Sequence, residues 1–256
     1  MKLIMFFLSS IISMNAFASG GFNWVNEFLH KFHINLPNHT ATLILGGILF
    51  VLAGFLYRLS TKSVEESVIP DKGISFRNII EAIGEGFYGL AKETVGEKDA
   101  KRYYPLIIFY FLFIFLNNLI GLIPGMAPAT ENFNTGFALG VVVFLFYNYQ
   151  GVRVQGLWGH IKHFMGPVLF MAPVIFVIEL ISHAMRPLTL GLRIKGNMMG
   201  DHIVLGIFTE LVPYIVPIPF YILGIFVCFM QAFVFTLLTM VYIAMAVEVH
   251  DHEHAH

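Results

Sequence analysis

Between Glu179 and His202 the chain reads ELISHAMRPLTLGLRIKGNMMGDH, a stretch that sets Glu179, Arg186, Arg193, Lys195 and Asp201 inside an otherwise apolar C-terminal half. On an ideal helix, at roughly 100° per residue, Glu179, His183, Arg186, Arg193, Asn197 and Asp201 fall within about 40° of one line. Lys195 and His202 point well away from it. Pro187 is expected to kink the segment, so the alignment is approximate. Carboxylates and imidazoles can take up and release protons near neutral pH, whereas a guanidinium keeps its charge throughout. A line of such groups at membrane depth costs several kcal/mol unless it faces water or a partner, so its default meaning is an ion path. The plainer reading is a polar stripe that joins helices or snorkels to an interface. Six polar groups on one face, with a permanently charged arginine in the middle, exceed what helix association needs.

The totals say what kind of element must carry that line. Of 256 residues, 57% are hydrophobic and 12% charged, the composition of an all-α, polytopic membrane protein. A net charge of -1 excludes a nucleic-acid partner, because no basic domain exists to neutralise phosphates. The single cysteine, Cys228, rules out an intrachain disulfide and a cysteine-only metal cluster; it lies in an apolar run and reads as a packing residue.

In chain order, residues 1–18 read as a secretory signal: Lys2, then the apolar LIMFFLSSII, then Ala16-Phe17-Ala18 before a cut after Ala18. An uncleaved short anchor is the rival. Residues 19–40 then form an external segment whose His30, His33 and His39 are expected at an interface or in water. The membrane domain is expected over 41–249. Its first span covers about 41–59 and ends in Arg58 and Lys62. A cytoplasmic connection over 61–103 contains Phe76, Ile79, Ile80, Ile83, Phe87, Leu90 and Ala91 at helical spacing behind Ser75, an N-cap, which predicts an amphipathic helix on the membrane or a partner.

Further spans follow at about 104–124, with Asn117 and Asn118 near the outer end, and at about 135–149. A fourth begins near Gly166 and passes into the charged line. The last, Pro213 to Val247, has no formal charge over about 35 residues and would reach about 52 Å, beyond the hydrocarbon thickness of about 30 Å. It must tilt strongly or break near Pro217 and Pro219. The expectation is about five to six membrane helices, the last two a long, strongly tilted hairpin. Eight of the fifteen Lys and Arg lie from Arg58 to Arg102, with Arg153 and Lys162 on the same side and only Lys31 opposite, so the mature N-terminus is expected outside and the C-terminus inside. The His-rich tail, 250–256, is expected to be solvated rather than a metal site.

Three blocks carry a resemblance: RYYPLIIFYFLFIFLNNLIGLIPG, LGLRIKGNM (Leu190 to Met198) and QAFVFTLLTMVYIAMA (Gln231 to Ala246). In this order and spacing, covering the chain from about residue 70, they resemble subunit a of the bacterial F-type ATP synthase, the static ion-channel subunit beside a rotating c-ring. The resemblance implies that Arg193 faces the ring carboxylate, that Asn197 and Gln231 are polar neighbours of it, and that Glu179 stands on its cytoplasmic side. His202 matches an ionisable position of an outer half-channel. It further implies a proton-translocating, non-catalytic subunit of the inner membrane with no cofactor or metal, whose partners are the c-ring, the peripheral-stalk b subunits, the complete ATP synthase and the bilayer.

Two positions depart from that pattern. Gly224 stands where the family usually has a second His or Glu, so Asp201 beside His202 is expected to complete the outer path, with Glu210 a weaker candidate. Lys195 replaces an apolar residue and is expected to snorkel or pair with a neighbouring subunit. Glu179, with His183 one turn on, is the candidate inner exit. A self-contained ion transporter would use the same line, but Arg193 has no second carboxylate at its level in this sequence. An intramembrane metalloenzyme on His183, Asp201, His202 and the terminal histidines lacks any HExxH-like spacing.

Overall fold

In the computed structural model the described residues are 23–60, 75–123, 125–165, 172–211 and 217–247. The signal reading of 1–18 and the His-rich tail lie outside them. Every regular element among the described residues is helical: α1 (Trp24–Lys31), α2 (Asn38–Ser60), α3 (Phe76–Val95), α4 (Glu97–Ile120), a 3-10 turn (Ala129–Glu131), α5 (Phe133–Met165), α6 (Ala172–Leu211) and α7 (Pro217–Val247). Five of these are long and apolar enough to cross a membrane: α2, α4, α5, α6 and α7. The chain is an all-α, multi-pass membrane protein.

Local chemistry explains the boundaries. Asn23 caps α1 by accepting from the backbone N–H of Val25 and Asn26, and Lys31 closes its last turn. Ser75 caps α3 through the Asn78 N–H, and Gly96, at φ 98°, ends it in a conformation that side chains resist. The described part of α7 runs from Pro217. The break expected near Pro217 falls at the edge of the described residues, since 212–216 lie outside them. Pro187 lies inside α6 without ending it. Here α5 comes close: a Cβ on Gly140 would sit 2.8 Å from the Pro187 carbonyl oxygen, so only glycine admits this approach. The third apolar stretch runs much further than expected, to Met165, bending at Gly156, whose φ is 74°.

The amphipathic helix formed, but its buried face is Arg77, Gly84, Phe87 and Ala91. Phe76 and Ile79, of the apolar face expected against the membrane or a partner, are exposed on the chain's surface. Two local facts define the side turned inward. Arg77 is buried because it pairs with Glu81 at 2.7 Å one turn on, and Gly84 leaves room for the Tyr104 hydroxyl, which would stand 2.7 Å from a Cβ.

The chain forms two compact units. The first takes in the described parts of Met1–Lys62, Phe111–Gly136 and Arg193–Phe233; the second those of Ser63–Tyr110, Phe137–Leu192 and Val234–His256. In the first, Phe111, Phe115 and Phe229 pack with ring centroids 5.6–6.2 Å apart, joining α4 to α7. The Asn117 carboxamide fills the space over Gly46, joining α4 to α2. In the second, Tyr103 meets Phe146 and Tyr110 meets Phe235, bringing α4 against α5 and α7.

Candidate functional site

The charged line is carried by one unbroken helix, α6, yet its members occupy different surroundings. Within the first unit Arg193 and Asn197 lie at the chain's exposed surface with Met199 and Ile203. Gly196 and Gly200 lie on the same stretch with nothing within 4 Å of where a Cβ would stand. The result is a guanidinium beside a shallow, small-residue surface. Among the described residues no carboxylate comes within ion-pair distance of Arg193 or of Lys195, which is half-buried.

Asn197 is tied to the next helix. Its Nδ2 donates to the Oε1 of Gln231 on α7. Gln231 is 3% exposed, and its Nε2 has no protein partner among the described residues. Such an atom in a low-dielectric setting calls for water or a ligand group. Asp201, one turn beyond Asn197, is half-buried and within electrostatic reach of Cys228 on α7. Three of the residues singled out in the sequence (Asn197, Asp201 and Gln231) thus meet between α6 and α7. The side chains of His202 and Glu210 lie outside the described set. Gly224 is buried, and a Cβ there would stand 2.6 Å from Leu122 Cδ2, so a leucine occupies the space an ionisable side chain would need.

In the second unit, Glu179, His183 and Arg186 form a cluster. Arg186 Nη2 lies 3.4 Å from Glu179 Oε1, and His183 Nδ1 lies 3.9 Å from the same oxygen. Tyr242 of α7 and Tyr147 of α5 receive the guanidinium on their ring faces, at 4.9 and 5.9 Å. His183 is buried, with the rings of Phe144 and Tyr147 at 5.9 and 5.2 Å. The sequence reading placed Glu179 and His183 together but left Arg186 out of that pair. Its signal was present, since 179 and 186 are two turns apart on one face. Tyr147 and Tyr242 carry no comparable signal, because only tertiary packing brings α5 and α7 to this point.

Chemically, the first cluster offers a fixed cation at an open surface with carboxamides and a carboxylate behind it. The second offers an acid whose charge is balanced within the chain. Among the described residues no group of three His, Cys, Asp or Glu side chains is arranged to hold a metal ion.

Comparisons with known proteins match this architecture. The profile of the family described as ATP synthase A chain matches residues 40–244. The chain is 53% identical over 214 residues to the ATP synthase subunit a of Bdellovibrio bacteriovorus, covering 84% of this chain and 93% of that protein. It is 42% identical to the Sorangium cellulosum protein of the same name, covering 80% of each. The Campylobacter jejuni subunit a is 38% identical over 206 residues, covering 80% of this chain and 89% of that one. With residues 40–244 matched and five apolar helices among the described residues, the chain belongs to the ATP synthase subunit a family, membrane-sector subunits of the ATP synthase complex.

Proposed function

We propose that this chain is the static, non-catalytic proton-conducting subunit of a rotary ATP synthase, serving a carboxylate on a neighbouring c-ring through two offset half-paths. One continuous polar pore through a low-dielectric slab would leak; two half-paths, each open to one side, do not if a carrier moves between them. The observation that carries this reading is Arg193: a permanent cation at an exposed face of α6, with no internal acid in ion-pair distance among the described residues. Its counter-charge then comes from another protein. The guanidinium favours the ionised ring carboxylate, so a proton is released as the site arrives. It also repels a bare proton crossing directly.

Asn197, Asp201, His202 and Gln231 form the outer side of this path, and Glu179 with His183 the inner exit. The pairing of Glu179 with Arg186 supports that division, since an exit acid balanced by an internal base does not compete for Arg193. The b subunits of the peripheral stalk hold the chain against the ring. The distribution of Lys and Arg supports a mature N-terminus outside and a C-terminus inside. Each proton crossing contributes about 2.3 kcal/mol per 100 mV, so several must pass for each ATP made.

Arg193→Lys keeps the charge but loses the planar fork. In inverted membrane vesicles holding the assembled complex, ATP-driven acidification disappears in this variant. Retained pumping refutes the proposal. The purified chain alone in liposomes moves no protons against a gradient; a self-contained transporter would.

A further inference from the structure

Gly224 leaves the outer path without an ionisable group where one is expected, and the first unit contains a polar channel-like series that leads to this place from another direction. Between α2 and the 129–131 turn lies a cavity of about 420 Å³ lined by Asn38, His39, Thr42, Pro128, Glu131 and Asn132. With Ala127 the lining comes to seven residues, five of them polar, at the end of α2 beyond which the chain has left the apolar span. His39 Nδ1 lies 3.3 Å from Asn132 Nδ2, and Glu131 is half-buried beside them.

Polar groups continue inward from this cavity. Thr42, one turn down α2, is 1% exposed. Thr130, next to Glu131 and fully buried, donates its hydroxyl to Asn118 Oδ1 at 2.7 Å. Asn117 and Asn118 are 0% and 1% exposed, and Asn117 Oδ1 and Asn118 Nδ2 have no protein partner among the described residues. One turn on, Leu122 lies over Gly224. Gly224, Cys228 and Gln231 succeed one another along one face of α7, and the last two meet Asp201 and Asn197. Three buried carboxamide atoms without protein partners, on Asn117, Asn118 and Gln231, mark places where water completes the hydrogen bonding.

We propose that this cavity is the outer mouth of the proton path, with His39 and Glu131 as the titratable pair that stands in for the ionisable side chain absent at Gly224. Hydronium gives a proton to the His39 imidazole or the Glu131 carboxylate and leaves as water. The protonated group then passes that proton to water held at Thr42, Asn118 and Asn117, from which it reaches Asp201. The other titratable groups packed near α2 on the outer side are Glu27, His30 and Lys31 of α1, which line a separate, mainly apolar groove. This inference rests on the function proposed above.

The test uses the assembled complex. In a Cys228→Ser background, Thr42→Cys and Thr130→Cys are exposed, from the outside of right-side-out vesicles, to a charged, membrane-impermeant thiosulfonate. Val51→Cys, on the exposed apolar face of α2, is the control. Both thiols at the polar positions are modified and the control is not; failure of both to react overturns the proposal. Separately, His39→Ala with Glu131→Gln lowers ATP-driven proton pumping by about tenfold or more, with complex assembly unchanged. Glu131→Asp with His39 intact restores most of it. Unchanged flux in the double variant, with the thiols still reactive, overturns the relay role. Arg193→Lys is run in parallel: pumping retained there refutes the function itself, whereas pumping lost there but intact in the double variant refutes only this mouth.

Discussion

Replacing Asn197 by Leu separates two contributions of the α6–α7 contact. The variant removes the donor to Gln231 Oε1 and leaves a side chain that is 3% exposed with neither end partnered by protein. Stranding a buried polar group costs about 1–3 kcal/mol, while interhelical hydrogen bonds in membranes average only about 0.6. The near-complete burial of Gln231 places the expected cost between those figures, at about 1.5 kcal/mol. Gln231→Leu alone strands only Asn197, which is exposed, and costs about 0.5 kcal/mol. The double replacement leaves no stranded group and returns to within about 0.5 kcal/mol of the parent. Cys228, 2% exposed and three residues from Gln231, provides the readout. Its alkylation rate in the complex, across a series of SDS mole fractions, reports the population of the opened contact. Asn197→Leu raises that population about tenfold, and the double variant reverses most of the rise. Proton pumping stays lost in the double variant, because the polar path is gone although the packing is restored. Two single effects that simply add, with no recovery, refute the reasoning.

Other variants probe the remaining contacts. Gly46→Ala drives a Cβ into the Asn117 carboxamide, while Gly47→Ala meets nothing within 4 Å; the first lowers stability of the complex by about 1–3 kcal/mol and the second is neutral, as a thermal-stability series in detergent shows. Arg186→Gln leaves Glu179 without its internal counter-charge and removes a cation from the faces of Tyr147 and Tyr242. Pumping slows in this variant, as ATP-driven acidification of inverted vesicles measures, and Arg186→Lys, which keeps a counter-charge for Glu179, restores part of it. Unchanged pumping in Arg186→Gln would contradict an exit role for Glu179.

The helical line from Glu179 to Asp201 was legible because one unbroken helix carries it, and a period of 3.6 turns sequence spacing directly into a face. The cap at Ser75 was equally legible, since it acts through local backbone chemistry that needs no tertiary partner. What stayed hidden depends on long-range approach. The side that α3 turns into the chain stayed hidden because Arg77, although charged, goes inside with Glu81 as partner, while Phe76 and Ile79 keep to an exposed apolar face. The reach of α5 to Met165 was underestimated because its final turns are polar and look like a loop. His39 and Glu131 stand 92 residues apart in sequence and meet only through the fold, so no spacing rule would pair them.

The leucine lodged over Gly224 also bears on how inhibitors discriminate among bacteria. A cationic compound that needs an acid at this point would meet the Leu122 side chain here instead. Reintroducing the acid requires that the isobutyl group turn aside to make room. Selectivity at this point is set by a neighbour two helices away in the chain rather than by the residue an alignment would highlight.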